Sequence, residues 1–226
     1  NEKLAQIFAH NSLVKTPMVR EILLRNVAGP ALLRQQISKP ASAQEHDVAL
    51  FTLLYKDLTH GFYADFLTDV KQLPEKAGTE PLFMGFTYNA QQALALFQWD
   101  GKNATEYQCP ALGEVAQTMR DDKNNPRALN CLGEFFRNTQ TRVDLWKDGA
   151  GNDVLEAAIN RKQPWGQYDR QSYYQQVMSS SKAEPEDKSY ALYRAILCYA
   201  PSGANECGGE EVDKRQRKSW FTQLKT

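Results

Sequence analysis

The chain has 226 residues, 42% of them hydrophobic and 24% charged, and its 27 basic and 27 acidic side chains leave no formal net charge. This composition excludes collagen-like, intrinsically disordered and coiled-coil chains. A neutral chain also lacks the basic excess of a dedicated nucleic-acid-binding protein. The longest apolar stretches, such as residues 90–97, are too short to span a bilayer, so no transmembrane segment is expected.

Apolar residues recur at helical spacing along nearly the whole chain, whereas the alternation typical of β-strands is almost absent. The predicted fold class is therefore all-α. Proline, glycine and capping residues set the expected boundaries, including a capping-box pattern at Ser42 and Glu45. Residues 83–88 are predicted as either a short strand or an extended entry into the next helix. Predicted helices cover residues 2–10, 17–28, 31–38, 47–59, 63–73, 89–97, 110–120, 126–137, 154–161, 170–179, 186–200 and 213–225.

Three segments, 49–74, 112–136 and 190–199, each place small residues and aromatics where closely packed helix pairs need them. In the first, an apolar helix ends at Gly61, Tyr63 opens a returning helix, and Pro74 stops it. This pattern resembles the tetratricopeptide repeat. The resemblance implies helical hairpins packed as an irregular solenoid or a compact right-handed helical array. An irregular single-core helical bundle is the alternative.

The C-terminal part, over residues 190–203, 207–209 and 217–221, is similar to uncharacterised helical-repeat proteins of proteobacteria. That similarity implies an exported protein with a helical-repeat body and implies no activity. We expect one helical-repeat-like domain over residues 1–226, with an irregular segment at 138–170. Because the sequence opens at Asn1 without a targeting segment, either such a segment has been removed or the chain is a piece of a longer protein.

The four cysteines have no C-x-x-C spacing, and no histidine lies in the C-terminal half, so a compact Cys/His metal site is not expected. Their spacing favours two disulfides, Cys109 with Cys131 and Cys198 with Cys207. Such bridges indicate an oxidising compartment, which is the periplasm, the cell surface or the extracellular space. Four reduced thiols are the alternative.

The main candidate binding residues lie on an irregular run in which aromatic side chains alternate with amides. Flat rings and amide groups suit stacking on sugar rings or gripping a peptide. The alternative is that these rings anchor a poorly patterned segment to the core. The predicted ligand-binding residues are Trp165, Tyr168, Arg170, Tyr173 and Tyr174.

A second candidate follows the last cysteine, where Gly208 and Gly209 offer an anion nest and Glu210, Glu211 and Asp213 offer ligands for a hard cation. The favoured interpretation is a disulfide-braced turn with acidic residues at the start of the final helix, without a metal.

A third candidate is the basic run 214–218, followed by Trp220 and Phe221. It could dock a partner or a membrane surface, although a solvated basic face over a packed apolar face is the commoner outcome.

The common catalytic motifs are absent, and no cofactor is expected. Asp65 and Asp69 lie four residues apart, a spacing that is common on solvated helix faces. The sequence therefore predicts a non-enzymatic exported scaffold that binds a protein or peptide partner in the cell envelope. The alternative is a glycan-binding or glycan-cleaving envelope protein, for which Glu134 is the first candidate acid.

Overall fold

The computed structural model describes residues 6–9, 13–82, 93–102, 107–139 and 169–225. Every regular element in these ranges is helical, which confirms the all-α prediction. The chain divides into two compact units. Unit 1 comprises Asn1–Phe97 and Arg142–Gly166, and unit 2 comprises Gln98–Thr141 and Gln167–Thr226. The expectation of a single repeat-like domain over 1–226 stays a prediction, because compactness alone does not distinguish domains from groups of repeats.

The described ranges contain nine α-helices and two short 3₁₀ helices, Val70–Gln72 and Leu94–Gln98. The predictions for 83–88 and 154–161, and most of that for 2–10, fall outside the described residues. The α-helices are α1 (Pro17–Asn26), α2 (Pro30–Ser38), α3 (Ala43–His60), α4 (Tyr63–Asp69), α5 (Leu112–Asp121), α6 (Pro126–Thr139), α7 (Arg170–Ser179), α8 (Pro185–Leu197) and α9 (Lys214–Leu224).

Two helix predictions need correction. In its described part, the helix expected at 89–97 is only the 3₁₀ helix Leu94–Gln98, whose three-residue period places Leu94 and Phe97 on one buried face. The helix expected at 186–200 ends at Leu197. Pro201 disfavours helical backbone in the residue before it, so the chain leaves the helix early.

In unit 1, α3 is the central helix, and α1, α2 and α4 all pack against it. Thirteen of its 18 residues are buried. Its apolar residues form a nearly continuous run from Ala49 to Tyr55 rather than one stripe, which is the pattern of a helix surrounded by neighbours.

The start of α3 also joins it to α1. The Ser42 hydroxyl accepts a hydrogen bond from the Glu45 backbone N–H at 3.1 Å, which confirms the predicted cap. The Glu45 carboxylate does not close the capping box on Ser42. It accepts hydrogen bonds of 2.7 and 2.8 Å from the buried Arg20 guanidinium of α1. Ser42 thus caps α3, and Glu45 in the same turn joins α3 to α1.

The helices of unit 2 pack against one another in the order in which they occur along the chain. Each helix from α5 to α9 packs against the next, and α8 also contacts α6. A helical-repeat array and an irregular bundle both produce such an order, so the tetratricopeptide-like arrangement stays a prediction.

Both predicted disulfides are present, and both lie in unit 2. Cys109–Cys131 ties the extended segment before α5 to α6, and Cys198–Cys207 ties the end of α8 to the loop before α9. In the chain-entropy model, each cross-link stabilises the folded state by roughly 3 kcal/mol.

The close contact between α6 and α7 depends on Gly133. A Cβ atom at Gly133 would lie 2.8 Å from Cε1 and 3.0 Å from the hydroxyl oxygen of Tyr174, whose side chain is fully buried. We expect Gly133→Ala to lower the free energy of unfolding by about 1–3 kcal/mol, because a buried ring has to move. Urea denaturation followed by circular dichroism measures this change.

Gly113, in the first turn of α5, is the matched control. A Cβ atom there would meet nothing within 4 Å. Gly113→Ala should leave stability unchanged or raise it by up to about 1 kcal/mol through helix propensity. Equal destabilisation by both substitutions would contradict the packing role of Gly133.

Candidate functional site

Three of the predicted ligand-binding residues lie in the described part of the chain, and all three belong to α7. Tyr174 is a core residue with no exposed surface, and Tyr173 is half-buried with its ring 6.4 Å from that of Phe136. Arg170 donates hydrogen bonds to the disulfide-closed loop, from Nη2 to the Glu206 carbonyl and from its backbone N–H to the Cys207 carbonyl, both at 2.9 Å. These three residues therefore do not share one open surface. Trp165 and Tyr168 lie outside the described residues.

The Gly208–Gly209 turn packs against a carboxylate of the chain itself. Both glycines have φ of 80°, and a Cβ atom on Gly209 would lie 2.9 Å from Oδ1 of Asp169. Asp169 caps α7 by accepting a 2.6 Å hydrogen bond from the Ser172 backbone N–H. The Asp169 carboxylate therefore lies beside this turn, where it disfavours an anion in the predicted nest.

The acidic residues after this turn support the final helix. Asp213 Oδ1 accepts hydrogen bonds from the backbone N–H groups of Arg215 and Gln216, at 2.7 and 3.0 Å. This is the N-terminal cap that was expected. Within the described ranges, no group of three or more His, Cys, Asp or Glu residues could hold a metal ion.

Glu134 is the centre of a buried ion network in unit 2. Its side chain has no exposed surface, and Arg137 Nη2 lies 2.6 Å from its Oε2. On α8, Arg194 Nε lies 2.8 Å from Glu134 Oε1 and donates at 2.9 Å to the Tyr190 hydroxyl. Two guanidinium groups thus compensate the charge that burial removes from water.

This environment does not suit a general acid. A glycosidase acid needs a protonated carboxyl group that faces the leaving oxygen. The Glu134 carboxylate is already held by two guanidinium groups, and its side chain has no surface that a glycan could reach. The geometry therefore assigns Glu134 to the packing of α6 against α8.

A second buried network stands beside the Cys109–Cys131 disulfide. The Tyr107 hydroxyl donates to Asp187 Oδ1 at 2.5 Å and accepts from Asn130 Nδ2 at 3.1 Å. The ring stacks on that of Tyr190 with 3.9 Å between centroids, and burial raises the pKa of Tyr107. Sequence reasoning missed this network because its members come from three distant segments with no local pattern.

An open groove lies between the end of α8 and the start of α9, with a volume of about 390 Å³. Ile196, Tyr199 and Ala200 supply its apolar part, and Lys214 and Arg217 supply its charge. The two cations belong to the predicted basic run 214–218. The sequence thus marked the run that supplies the charge of the groove, although a solvated basic face was the commoner expectation, and it did not indicate the apolar side.

The α9 sequence determines which cations reach the groove. Lys214, Arg217 and Trp220 are three residues apart and so lie on neighbouring positions of one helix face. Trp220 is buried, which directs this face inward. The Arg217 guanidinium stacks over the Tyr199 ring with 4.2 Å between its Cζ and the ring centroid, and its Nη1 donates to the Gly203 carbonyl at 3.4 Å.

Unit 1 holds a cluster of carboxyl groups around Arg34. Arg34 Nη2 lies 2.7 Å from Oδ2 of the buried Asp69 and 3.3 Å from Oδ1 of the exposed Asp65. Asp65 and Asp69 are the two carboxylates that the sequence places four residues apart, and only Asp65 lies at the surface. Asp57 of α3, which is 1% exposed, completes the cluster and was not predicted.

Asp57 is a buried carboxyl group beside Asp69, and neither of its oxygens accepts a hydrogen bond from a donor in the described part of the chain. Burial, and then repulsion from Asp69, raises the pKa of Asp57 to about 8. The preceding residue, Lys56, is also buried. Burial lowers the pKa of Lys56 to about 7, and its Nζ donates to the Ala28 carbonyl at 2.6 Å.

These pKa values predict how stability changes with pH. The Asp57 pKa is higher in the folded than in the unfolded chain, so its contribution is complete below about pH 4 and is lost as the pH rises through 8. The lowered Lys56 pKa acts oppositely, adding stability from about pH 7 to about pH 10. The free energy of unfolding should therefore fall between pH 5 and 8. We expect Asp57→Asn to make this decrease smaller by roughly 1–3 kcal/mol.

Urea denaturation at several pH values tests this expectation. Asp65→Asn is the control, since that carboxylate is exposed at the rim of the same cluster and should change the pH dependence little. A parallel pH profile for Asp57→Asn and the unaltered protein would contradict the raised pKa of Asp57.

None of the helices in the described part of the chain combines the length and apolarity needed to cross a bilayer. Comparison with known proteins finds no matching family model, no significantly similar curated protein and no significantly similar solved structure. Function therefore has to be inferred from the residues and their geometry.

Proposed function

We propose that this chain is an exported, non-enzymatic helical scaffold that binds a protein or peptide partner in the cell envelope. The observation that carries this proposal is the groove of unit 2, where apolar side chains and two cations share one open depression of about 390 Å³. An apolar surface with a few placed polar groups is the usual composition of a binding site.

Two buried carboxylates of unit 2 are engaged in helix packing, which favours a binding role over a catalytic one. Glu134 and Asp187, its two most buried carboxylates on α6 and α8, are engaged by Arg137, Arg194 and Tyr107. Such ion pairs and hydrogen bonds stabilise helix packing, and they direct both of these buried carboxylates at partners within the protein. The glycan alternative has correspondingly less support, because its candidate acid is one of these packed residues.

The two disulfides support export. Disulfides persist in the periplasm, at the cell surface and outside the cell, whereas cytosolic thiols are kept reduced. The Cys198–Cys207 bridge also keeps the groove-forming end of α8 attached to the loop that leads into α9.

A photo-crosslinking experiment tests the binding proposal. A benzophenone amino acid replaces Ala200 in the groove, and the control variant carries it at Lys123, an exposed residue of the loop between α5 and α6. In the native host we expect the Ala200 variant to form an adduct with one defined protein and the Lys123 variant to form none. Identical adducts from both variants, or an adduct with glycan strands, would overturn the proposal.

A thiol assay tests the compartment. The protein is isolated from its native host without reductant, alkylated, and mapped by mass spectrometry. We expect Cys109–Cys131 and Cys198–Cys207 peptides and no alkylated cysteine. Four alkylated thiols would place the chain in a reducing compartment and remove the export part of the proposal.

A further inference from the structure

The groove of unit 2 also indicates what kind of partner it takes. Resting on the proposed function, we propose that the groove binds an acidic peptide segment in which a carboxylate lies next to a large apolar or aromatic side chain. The cations Lys214 and Arg217 take the carboxylate, and Ile196, Tyr199 and Ala200 take the apolar side chain.

The charged residues that line the groove favour a negatively charged partner. Both charged residues that line it are cations, and α9 as a whole contains four basic residues and no acidic one. The nearest carboxylate in sequence, Asp213, is engaged in capping α9. Glu206 accepts a hydrogen bond of 2.8 Å from the Ser202 hydroxyl. An acidic ligand therefore meets positive charge at both charged positions of the groove lining.

Arg217 is held in one orientation before any ligand binds. Its guanidinium Cζ lies 4.2 Å from the centroid of the Tyr199 ring, and the Gly203 carbonyl accepts from Nη1 at 3.4 Å. A planar guanidinium that is already fixed loses little rotamer freedom when it binds a carboxylate. Lys214 adds a second positive charge on the same helix face, one turn earlier.

The apolar part of the groove selects what accompanies the carboxylate. Tyr199 is 7% exposed and one face of its ring is covered by Arg217, so it forms a recessed part of the floor, and the more accessible apolar surface comes from Ile196 and Ala200. The volume lies within the range of about 300–1,000 Å³ that is usual for ligand sites. A recessed floor suits a side chain inserted from a peptide better than a bilayer, which takes up projecting apolar residues.

The test is a selection from a random twelve-residue peptide library displayed on phage, using the whole chain with its disulfides intact. Peptides that bind the Lys214→Glu, Arg217→Glu double variant are removed first. We expect the remaining peptides to be enriched in Asp or Glu beside Phe, Tyr, Trp or Leu. A selected peptide is then synthesised and titrated against the single variants.

Single variants locate the binding energy. Losing a charge-assisted hydrogen bond weakens binding about tenfold or more, so Arg217→Gln and Lys214→Gln should both do this. Lys214 is exposed, and its substitution is not expected to affect folding. Arg215→Gln removes one charge from the same helix outside the groove and should change the affinity less than about threefold. Circular dichroism confirms that each variant is folded.

Three results would overturn the inference: no enrichment, enrichment in neutral or basic peptides, or equal weakening by Arg215→Gln. Vesicles of phosphatidylglycerol and phosphatidylcholine are tested in parallel. Binding to the anionic vesicles with no selected peptide would assign the groove to a membrane surface instead. Because the selection does not depend on compartment or native partner, its failure is distinct from failure of the crosslinking experiment.

Discussion

The packing of unit 2 depends on a carboxylate that water does not reach. Glu134 sits on α6, and its charge is compensated by Arg137 on the same helix and by Arg194 on α8. Removing Glu134 would leave the buried Arg194 without its carboxylate partner, which costs about 3–5 kcal/mol. The neighbouring Gly133 lets the Tyr174 ring of α7 approach the backbone of α6. One helical turn of α6 therefore determines how both α7 and α8 pack.

The groove is a consequence of this packing at the far end of α8. Cys198–Cys207 attaches the chain that follows α8, and the Tyr199 hydroxyl accepts a hydrogen bond of 2.8 Å from the Val212 backbone N–H. These two links direct the start of α9 back toward the end of α8. Lys214 and Arg217 thereby come to lie beside an apolar floor. The same residues on an isolated helix would form only a solvated basic face.

Unit 1 uses buried charge differently. Glu45 and Arg20 form a compensated pair between α3 and α1, whereas Asp57 lies beside a carboxyl group that already has its own guanidinium partner. Burial, and then repulsion from Asp69, raises the pKa of Asp57, so this carboxyl group keeps its proton near neutral pH. The pH dependence of unit 1 thus follows from two adjacent buried groups, Asp57 and Lys56, whose pKa values are shifted in opposite directions.

The sequence by itself determined the all-α class, most helix boundaries and both disulfide pairings, and it marked the basic run 214–218 that contains the two cations of the groove. These features depend on local signals, namely helical periodicity, capping residues, cysteine spacing and a run of basic residues. The sequence left open whether Tyr174 binds a ligand or anchors its segment to the core, and it did not indicate that Glu134 is paired with Arg194 or that Asp57 lies beside Asp69. Those outcomes depend on which helices pack together. Residues 60 positions apart, such as Glu134 and Arg194, carry no local pattern that marks them as partners. The apolar floor beside Lys214 and Arg217 was likewise decided only by the tertiary structure, because it needs α8 and α9 to meet.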